Sequence, residues 1–370
     1  MKYYIIAGEA SGDLHGSNLI KEITKLDPKA EFRVWGGDLM KEAGAYEVIH
    51  IRNLAFMGFW EVLNNLQTIK KLLTFCKKDI VAYRPHGVVL IDYPGFNLRM
   101  AKFIKSKGFP VIYYISPQVW AWKSSRVKII RQVVDKMLVI LPFEKKFYAA
   151  FDFPVDYVGH PLLDAIAQFR EKQTENKKSD KAILALLPGS RKQEIQKMLP
   201  LMLKAADGFP EYRVVIAGAP AIDKDFYIPF LKNHTAEIHY GKTYELLNMA
   251  SLAAVTSGTA TLETALFKVP QVVCYKGNHI SYLLAKNLIK IPYISLVNLI
   301  MEAPVVKELI QHELTVHSLT ESLKNIESGN ARRNMLEQYE NLIEKLGSTG
   351  ASARAARIVV EKLSRKKTVY

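Results

Sequence analysis

Two continuous apolar runs about 180 residues apart, each opening into small residues and then a helical pattern, limit what this chain can become. The first, Tyr3-Tyr4-Ile5-Ile6-Ala7, runs into Gly8-Glu9-Ala10-Ser11-Gly12-Asp13; the second, Ile183-Leu184-Ala185-Leu186-Leu187, runs into Pro188-Gly189-Ser190-Arg191. A strand covered on both faces reads as unbroken apolar sequence, and small residues after it let backbone N–H groups approach an anionic ligand at a helix start. Two such starts predict an α/β protein of two nucleotide-type domains facing one cleft. That doubling suits a transferase, which joins two substrates. A plain dehydrogenase needs one dinucleotide site, and Gly8 to Gly12 is not a GxGxxG fingerprint.

The bounds agree. A chain of 370 residues exceeds the size at which single cores stop growing, so two domains of about 160 to 180 residues are expected. No apolar stretch approaches the roughly 20 residues of a spanning helix. The first run ends at Glu9 and Asp13, too short and too acidic for a secretory signal, so a cytoplasmic protein is expected. Cys76 and Cys274 stand far apart with no CxxC, and the 9 histidines are scattered, so neither a disulfide framework nor a metal centre is expected. The formal charge of +15 calls for anionic partners. Its basic pairs come without a zinc finger or an RNP-like aromatic signature, so the partners expected are phosphorylated metabolites or an acidic membrane surface rather than nucleic acid.

Strand patterns fall at 2–7, 31–35, 87–92, 110–115 and 136–141, with helical patterns at 15–26, 58–76, 97–107 and 124–133. This alternation specifies a parallel sheet with helices on both faces and gives a first domain over 1–168. Residues 170–180 contain no apolar side chain, which predicts a linker over 169–180. A second alternation follows over 181–345, with strands at 182–187, 212–217, 252–256 and 271–275 and helices near 192–207, 243–250 and 259–267. Residues 346–370 carry a basic amphipathic helix, Ala351 to Val360, and a charged tail; the helix is expected to cross back onto the first domain or to exchange between subunits.

Open parallel sheets bind ligands at the carboxyl ends of their strands. In the first domain this points to Gly8, Glu9, Ser11, Gly12 and Asp13, as backbone and side-chain contacts to a hydroxyl-rich or anionic group or as a plain turn with a helix cap. Asp92 ends the run Val88-Val89-Leu90-Ile91, where it reads either as a carboxyl that partial burial would raise towards general-base work or as a plain turn former; Asn97 follows as a cap for the next helix. Trp120 and Trp122, beside Lys123 and Arg126, suit stacking on a sugar or contact with a lipid phosphate, or else form an aromatic loop packed on the domain. In the second domain, Gly189, Ser190, Arg191 and the turn Ser257-Gly258-Thr259-Ala260 offer a diphosphate N–H donors and a countercharge, and Glu263 lies one turn on, in reach of a ribose.

At these residues the chain resembles the lipid-A-disaccharide synthases, through AGEASGD (7–13), MGFWEVL (57–63), IDYPGFN (91–97), SPQVWAW (116–122), LPFEKKFY (141–148), VGHPLLD (158–164), LLPGSRKQEI (186–195), SGTATLE (257–263) and YISLVNLI (293–300). The resemblance implies the GT-B architecture and inverting transfer of 2,3-diacylglucosamine from UDP to the 6-hydroxyl of 2,3-diacylglucosamine 1-phosphate. It places the family's essential aspartate at Asp92, its nucleotide-contacting arginine at Arg191, a ribose contact at Glu263 and a required asparagine at Asn298. Some members carry a second aspartate where Gly95 stands here.

Direct displacement needs a base for the attacking hydroxyl and stabilisation of the departing diphosphate. Asp92 is expected in the first role and Arg191 with the 257–260 amides in the second, with no metal or other cofactor. Acylated substrates give a reason for the stripe Phe59, Trp60, Val62, Leu63, Leu66 and Ile69, expected to enter a membrane interface beside Lys70 and Lys71 and to hold the protein peripherally at the cytoplasmic membrane. The same stripe also reads as an ordinary core-facing helix. A homodimer is possible on this reading. The alternatives of another class are a nucleotide-sugar epimerase or hydrolase of the same architecture and a non-catalytic UDP-sugar-binding module.

Overall fold

The structure is a computed structural model that describes residues 1–54, 66–122, 124–173, 181–277 and 292–365. The chain divides into two compact units, one formed by Met1–Asp164 with Ser348–Tyr370, the other by Ala165–Gly347.

The first unit holds a sheet of β1 (Lys2–Ile6), β2 (Glu31–Gly36), β3 (Tyr46–His50), β4 (Gly87–Ile91), β5 (Val111–Tyr114), β6 (Lys136–Val139) and β7 (Asp156–Tyr157). Its order is β3-β2-β1-β4-β5-β6-β7 and every pair is parallel. Alternate side chains feed two cores. Tyr4, Ile6, Val88, Leu90 and Tyr113 point to one face and Tyr3, Ile5, Val89, Ile91 and Tyr114 to the other, all fully buried. That is why the strands read as unbroken apolar runs.

The second unit repeats the scheme with β8 (Ile183–Leu187), β9 (Arg213–Gly218), β10 (Glu237–Tyr240), β11 (Leu252–Thr256), β12 (Gln271–Tyr275) and β13 (Lys307–Ile310), again parallel, in the order β10-β9-β8-β11-β12-β13. In each sheet the winding reverses once, between β1 and β4 and between β8 and β11. Ligands of such sheets sit outside the strand ends at the reversal. The segments after these four strands begin at Ala7, Asp92, Pro188 and Ser257.

The helix Ala351–Ser364 lies in the first unit, against the helix Ala10–Leu26. Ala355, Ala356 and Val359 are fully buried there, and Leu363 fills the space over Gly87, where a Cβ would stand 2.4 Å from its Cδ2. Its start is held by Asp164, whose carboxylate accepts from the backbone N–H of Gly350, Ala351 and Ser352. Arg354 adds bonds to the carbonyls of Val158, Thr349 and Ser348.

Two expectations change. The helix Pro161–Lys172 includes the first residues of the expected linker: Phe169 packs edge-on against Tyr244 and Phe267, and Arg170 donates to the Leu266 carbonyl. Charge and polarity there mark a helix's solvent face, not the end of structure. The helix expected over 58–76 is described as Leu66–Tyr83. Phe59, Trp60, Val62 and Leu63 lie outside the described residues, as does the side chain of Leu66. Ile69 is only 5% exposed and belongs to the core, so it is not an interface residue. The network beneath this helix explains its docking: Asp79 accepts from Tyr4 at 2.7 Å and from both arms of Arg33, while Trp35 donates to Tyr4.

Candidate active site

In the first unit, strand β4 ends in a backbone that L-residues rarely adopt. Asp92 and Tyr93 both have positive φ, +44° and +51°, a conformation costing roughly 1–2 kcal/mol per residue. Neighbours hold it. The Asp92 carbonyl accepts from the Tyr113 hydroxyl at 2.6 Å and from the Asn97 amide at 2.8 Å. The Asn97 amide also reaches the carbonyls of Ile91 and Ile6. The Tyr93 ring lies over Gly8, where a Cβ would come within 2.3 Å of it.

Asp92 is half-buried. Low-dielectric surroundings, and after them the nearby Glu9 carboxylate, push its pKa up to about 7. A carboxyl tuned there is half ionised near neutrality and can take a proton from a hydroxyl. Glu9, which acts on it, is exposed, as is Ser11. A second buried carboxyl, Glu144, stands near the ends of β5 and β6; burial raises it to about 7, and it accepts from the backbone N–H of Ile140 and Leu141. Ser116 shares a 2.6 Å bond with Tyr148, and Trp120 sits half-buried, edge-on to Phe143.

Three residues expected to touch the acceptor do other work. Asp13 is 4% exposed, and its carboxylate accepts from the N–H groups of Gly37, Leu39 and Met40, capping the short helix Asp38–Glu42. Gly12 is buried against Ala7 and gives the helix its close approach to β1. Asn97 is wholly buried and holds strand ends together instead of capping the helix Pro94–Ser106 or meeting a ligand.

In the second unit, the turn after β8 also differs from expectation. The Glu194 carboxylate accepts from the N–H groups of Ser190 and Arg191, filling the place a Cβ at Gly189 would take, 2.5 Å away. Those two amides are therefore engaged, and Gly189 and Ser190 shape the turn. What it presents outward is the exposed guanidinium of Arg191, 3.8 Å from Glu194.

After β11, Gly258 takes φ +152° with nothing within 4 Å of a Cβ, and the helix Thr259–Leu266 begins at once. Gly258 and Thr259 are exposed and Ala260 half-exposed. Ser257 is fixed from two sides, its N–H on the Cys274 carbonyl and its hydroxyl on that of Ile294, each at 3.0 Å. Glu263 is half-buried, held above its usual pKa by desolvation, and accepts from Tyr244 at 3.2 Å. Asn298 is 1% exposed with every polar group used: its amide donates to the Val306 carbonyl and Glu308, and its oxygen accepts from the Val306 N–H. Buried and fully bonded, it is not placed to touch a ligand as expected. A shallow cavity of about 400 Å³ opens by the ends of β9 and β10, between Pro220, Lys224 and Tyr240.

The family model described as lipid-A-disaccharide synthetase matches residues 3–361. The lipid-A-disaccharide synthase of Geobacter metallireducens is 37% identical over 98% of this chain and 97% of its own length. That of Syntrophus aciditrophicus is 39% identical over 95% of each. This chain belongs to the lipid-A-disaccharide synthase family. It is accordingly a glycosyltransferase of lipid A biosynthesis. Among solved structures, the UDP-GlcNAc 2-epimerase of Neisseria meningitidis bound to UDP-GlcNAc aligns with a TM-score of 0.68 over 99% of this chain and 100% of its own, at 12% identity. That likeness establishes the GT-B type of fold and nothing of the reaction. The epimerase and binding-module alternatives give way to the family assignment.

Sequence reasoning missed Tyr113, Glu144, Tyr244 and Glu308. Only Glu144 left a signal: an acid three residues after Leu141, at the third position of a helix opening with Pro142, is half of a capping box.

Proposed function

We propose that the enzyme transfers 2,3-diacylglucosamine from its UDP derivative to the 6-hydroxyl of 2,3-diacylglucosamine 1-phosphate, with inversion, releasing UDP. The observation that carries this reading is the carboxyl of Asp92, poised near neutrality at a sheet reversal in a chain of this family. Asp92 accepts the proton of the attacking hydroxyl as the new bond forms at the anomeric carbon. The bond to the diphosphate breaks as it does so, and charge grows on UDP. Arg191 and the N-terminal amides of the helix Thr259–Leu266 neutralise that charge, a role open to a guanidinium and a helix start without a metal ion. Glu263 takes the ribose hydroxyls, its orientation set by Tyr244.

Glu9, Ser11 and Trp120 remain as acceptor contacts. The acyl chains put the reaction at a membrane surface, approached by the segment around Phe59 to Leu66 and by the exposed lysines of the helix Leu66–Tyr83. Among the described residues no helix is long and apolar enough to cross a membrane.

Purified protein incubated with the acylated UDP-sugar and the acylated sugar 1-phosphate is expected to yield UDP and a phosphorylated disaccharide by mass spectrometry. Release of free sugar with no disaccharide would refute the reading. Turnover is expected to persist in EDTA; strict dependence on added magnesium would contradict the metal-free account.

A further inference from the structure

Between β12 and β13 of the second unit lies a small polar relay that ends on the Ser257 turn. The Glu308 carboxylate, on β13 beside Val273, accepts from the backbone N–H of Ile294 at 3.0 Å through one oxygen. Through the other it accepts from the N–H of Ser295 and the amide of Asn298, both at 2.9 Å. Asn298 is itself tied to Val306 by a reciprocal pair of bonds, and the Ser295 hydroxyl accepts the Asn298 N–H. Ile294, fixed in this way, turns its carbonyl to the Ser257 hydroxyl. Ser257 is the residue before Gly258, whose backbone, at a φ of +152° open to glycine, leads into the helix Thr259–Leu266.

We propose that Glu308 is a positioning residue for nucleotide binding. It holds Ile294, and through it Ser257, so that the amides of Gly258, Thr259 and Ala260 stand in the geometry a nucleoside diphosphate needs. This rests on the reading of residues 258–260 as the diphosphate platform, the Ser257 N–H being spent on the Cys274 carbonyl. Hydrogen bonds to an ionised acceptor are about twice as strong as neutral ones. Three donors on one carboxylate therefore make a stiffer anchor than any neutral side chain of this size. The two-sided fixing of Ser257, by Cys274 and by Ile294, gives that anchor a direct route to the turn.

The test is calorimetric titration of the purified full-length chain with UDP, together with KM for donor and acceptor and a melting curve. In Glu308→Gln one acceptor becomes an NH2 facing N–H donors. Its UDP Kd and donor KM are expected to rise at least about tenfold with the acceptor KM within about twofold, and combination with Ser257→Ala should bind UDP no more weakly than the weaker single variant. A purely structural role would lower the melting temperature and leave UDP affinity unchanged. Folded Glu308→Gln with wild-type UDP affinity overturns the proposal, as does a full multiplication of the two single effects.

Thr259→Pro, compared with Thr259→Ala to account for the lost hydroxyl, separates the two levels of the argument, because proline is tolerated at a first helical position and removes its N–H. If it binds UDP normally, the platform reading falls and the inference with it. If it binds weakly while Glu308→Gln binds normally, only the positioning role falls. Should Glu308→Gln not fold, Glu308→Asp, which retracts the oxygens by one methylene, is read in the same way.

Discussion

Asp92 combines three features rarely found in one residue: a left-handed backbone, a strand end and a carboxyl lifted to about 7. The backbone and the desolvated carboxyl each cost stability. Because burial and Glu9 raise its pKa, the folded state binds more protons than the unfolded chain between pH about 4 and 7, and its contribution to stability falls as pH rises through that window. Asp92→Asn should therefore melt higher than the parent at pH 8 and no higher at pH 4, read by calorimetry. Activity runs the other way. The base works ionised, so kcat/KM should climb with pH to a plateau above about 7, and Asp92→Ala should lose at least about 100-fold in kcat, a typical general-base contribution, with UDP affinity intact. Near-normal turnover would remove the assignment. Gly95 adds a probe: it is exposed with nothing within 4 Å of a Cβ, so Gly95→Asp fits, and its added negative charge should move the acidic limb of the rate profile upward.

Elements were far more legible than contacts. The nine strands read from apolar runs all appear, because a parallel strand covered on both faces must be apolar throughout. The strands missed, β3, β7, β10 and β13, are edge or near-edge pieces of two to five residues, half-exposed and mixed in composition. Four of the candidate segments, those after β1, β4, β8 and β11, were legible for the same reason: each comes directly after a strand at a sheet reversal. Which residues in them point outward was not legible. Asp13, Asn97 and Asn298 are polar residues in a candidate binding segment, yet the fold spends them on backbone groups that sequence spacing does not reveal. Asp13→Ala would strand three N–H groups, of which those of Gly37 and Met40 are buried. It is expected to cost about 2–3 kcal/mol in urea unfolding, with kcat per folded molecule preserved. The helix Leu66–Tyr83 shows the same division. Ile69, Cys76 and Ile80 face the core, while Lys70, Lys71 and Lys78 face out. Replacing Phe59 and Leu63 with serine should weaken liposome binding and leave the melting temperature unchanged; a fall in melting temperature would make that stretch core as well.

At the scale of the molecule, two buried histidines make the fold sensitive to acid. His15 and His160 are held neutral by burial, with pKa values lowered to about 4 and about 3. Their lowered values mean that the unfolded chain takes up protons the folded one refuses, so stability is lost as pH falls from about 6.5 towards 4. His160→Gln should flatten that slope in melting curves taken across the window. Leu363→Ala should cost about 2–5 kcal/mol, the usual range for emptying a core site, although it lies beyond the whole second unit in sequence. That placement has a consequence for synthesis. The core of the first half to leave the ribosome includes Val359 and Leu363, translated only after every strand of the second half. Until then the first half keeps part of its interior uncovered. A stall or truncation before residue 351 is therefore expected to leave the earliest-made half open to chaperones and proteases.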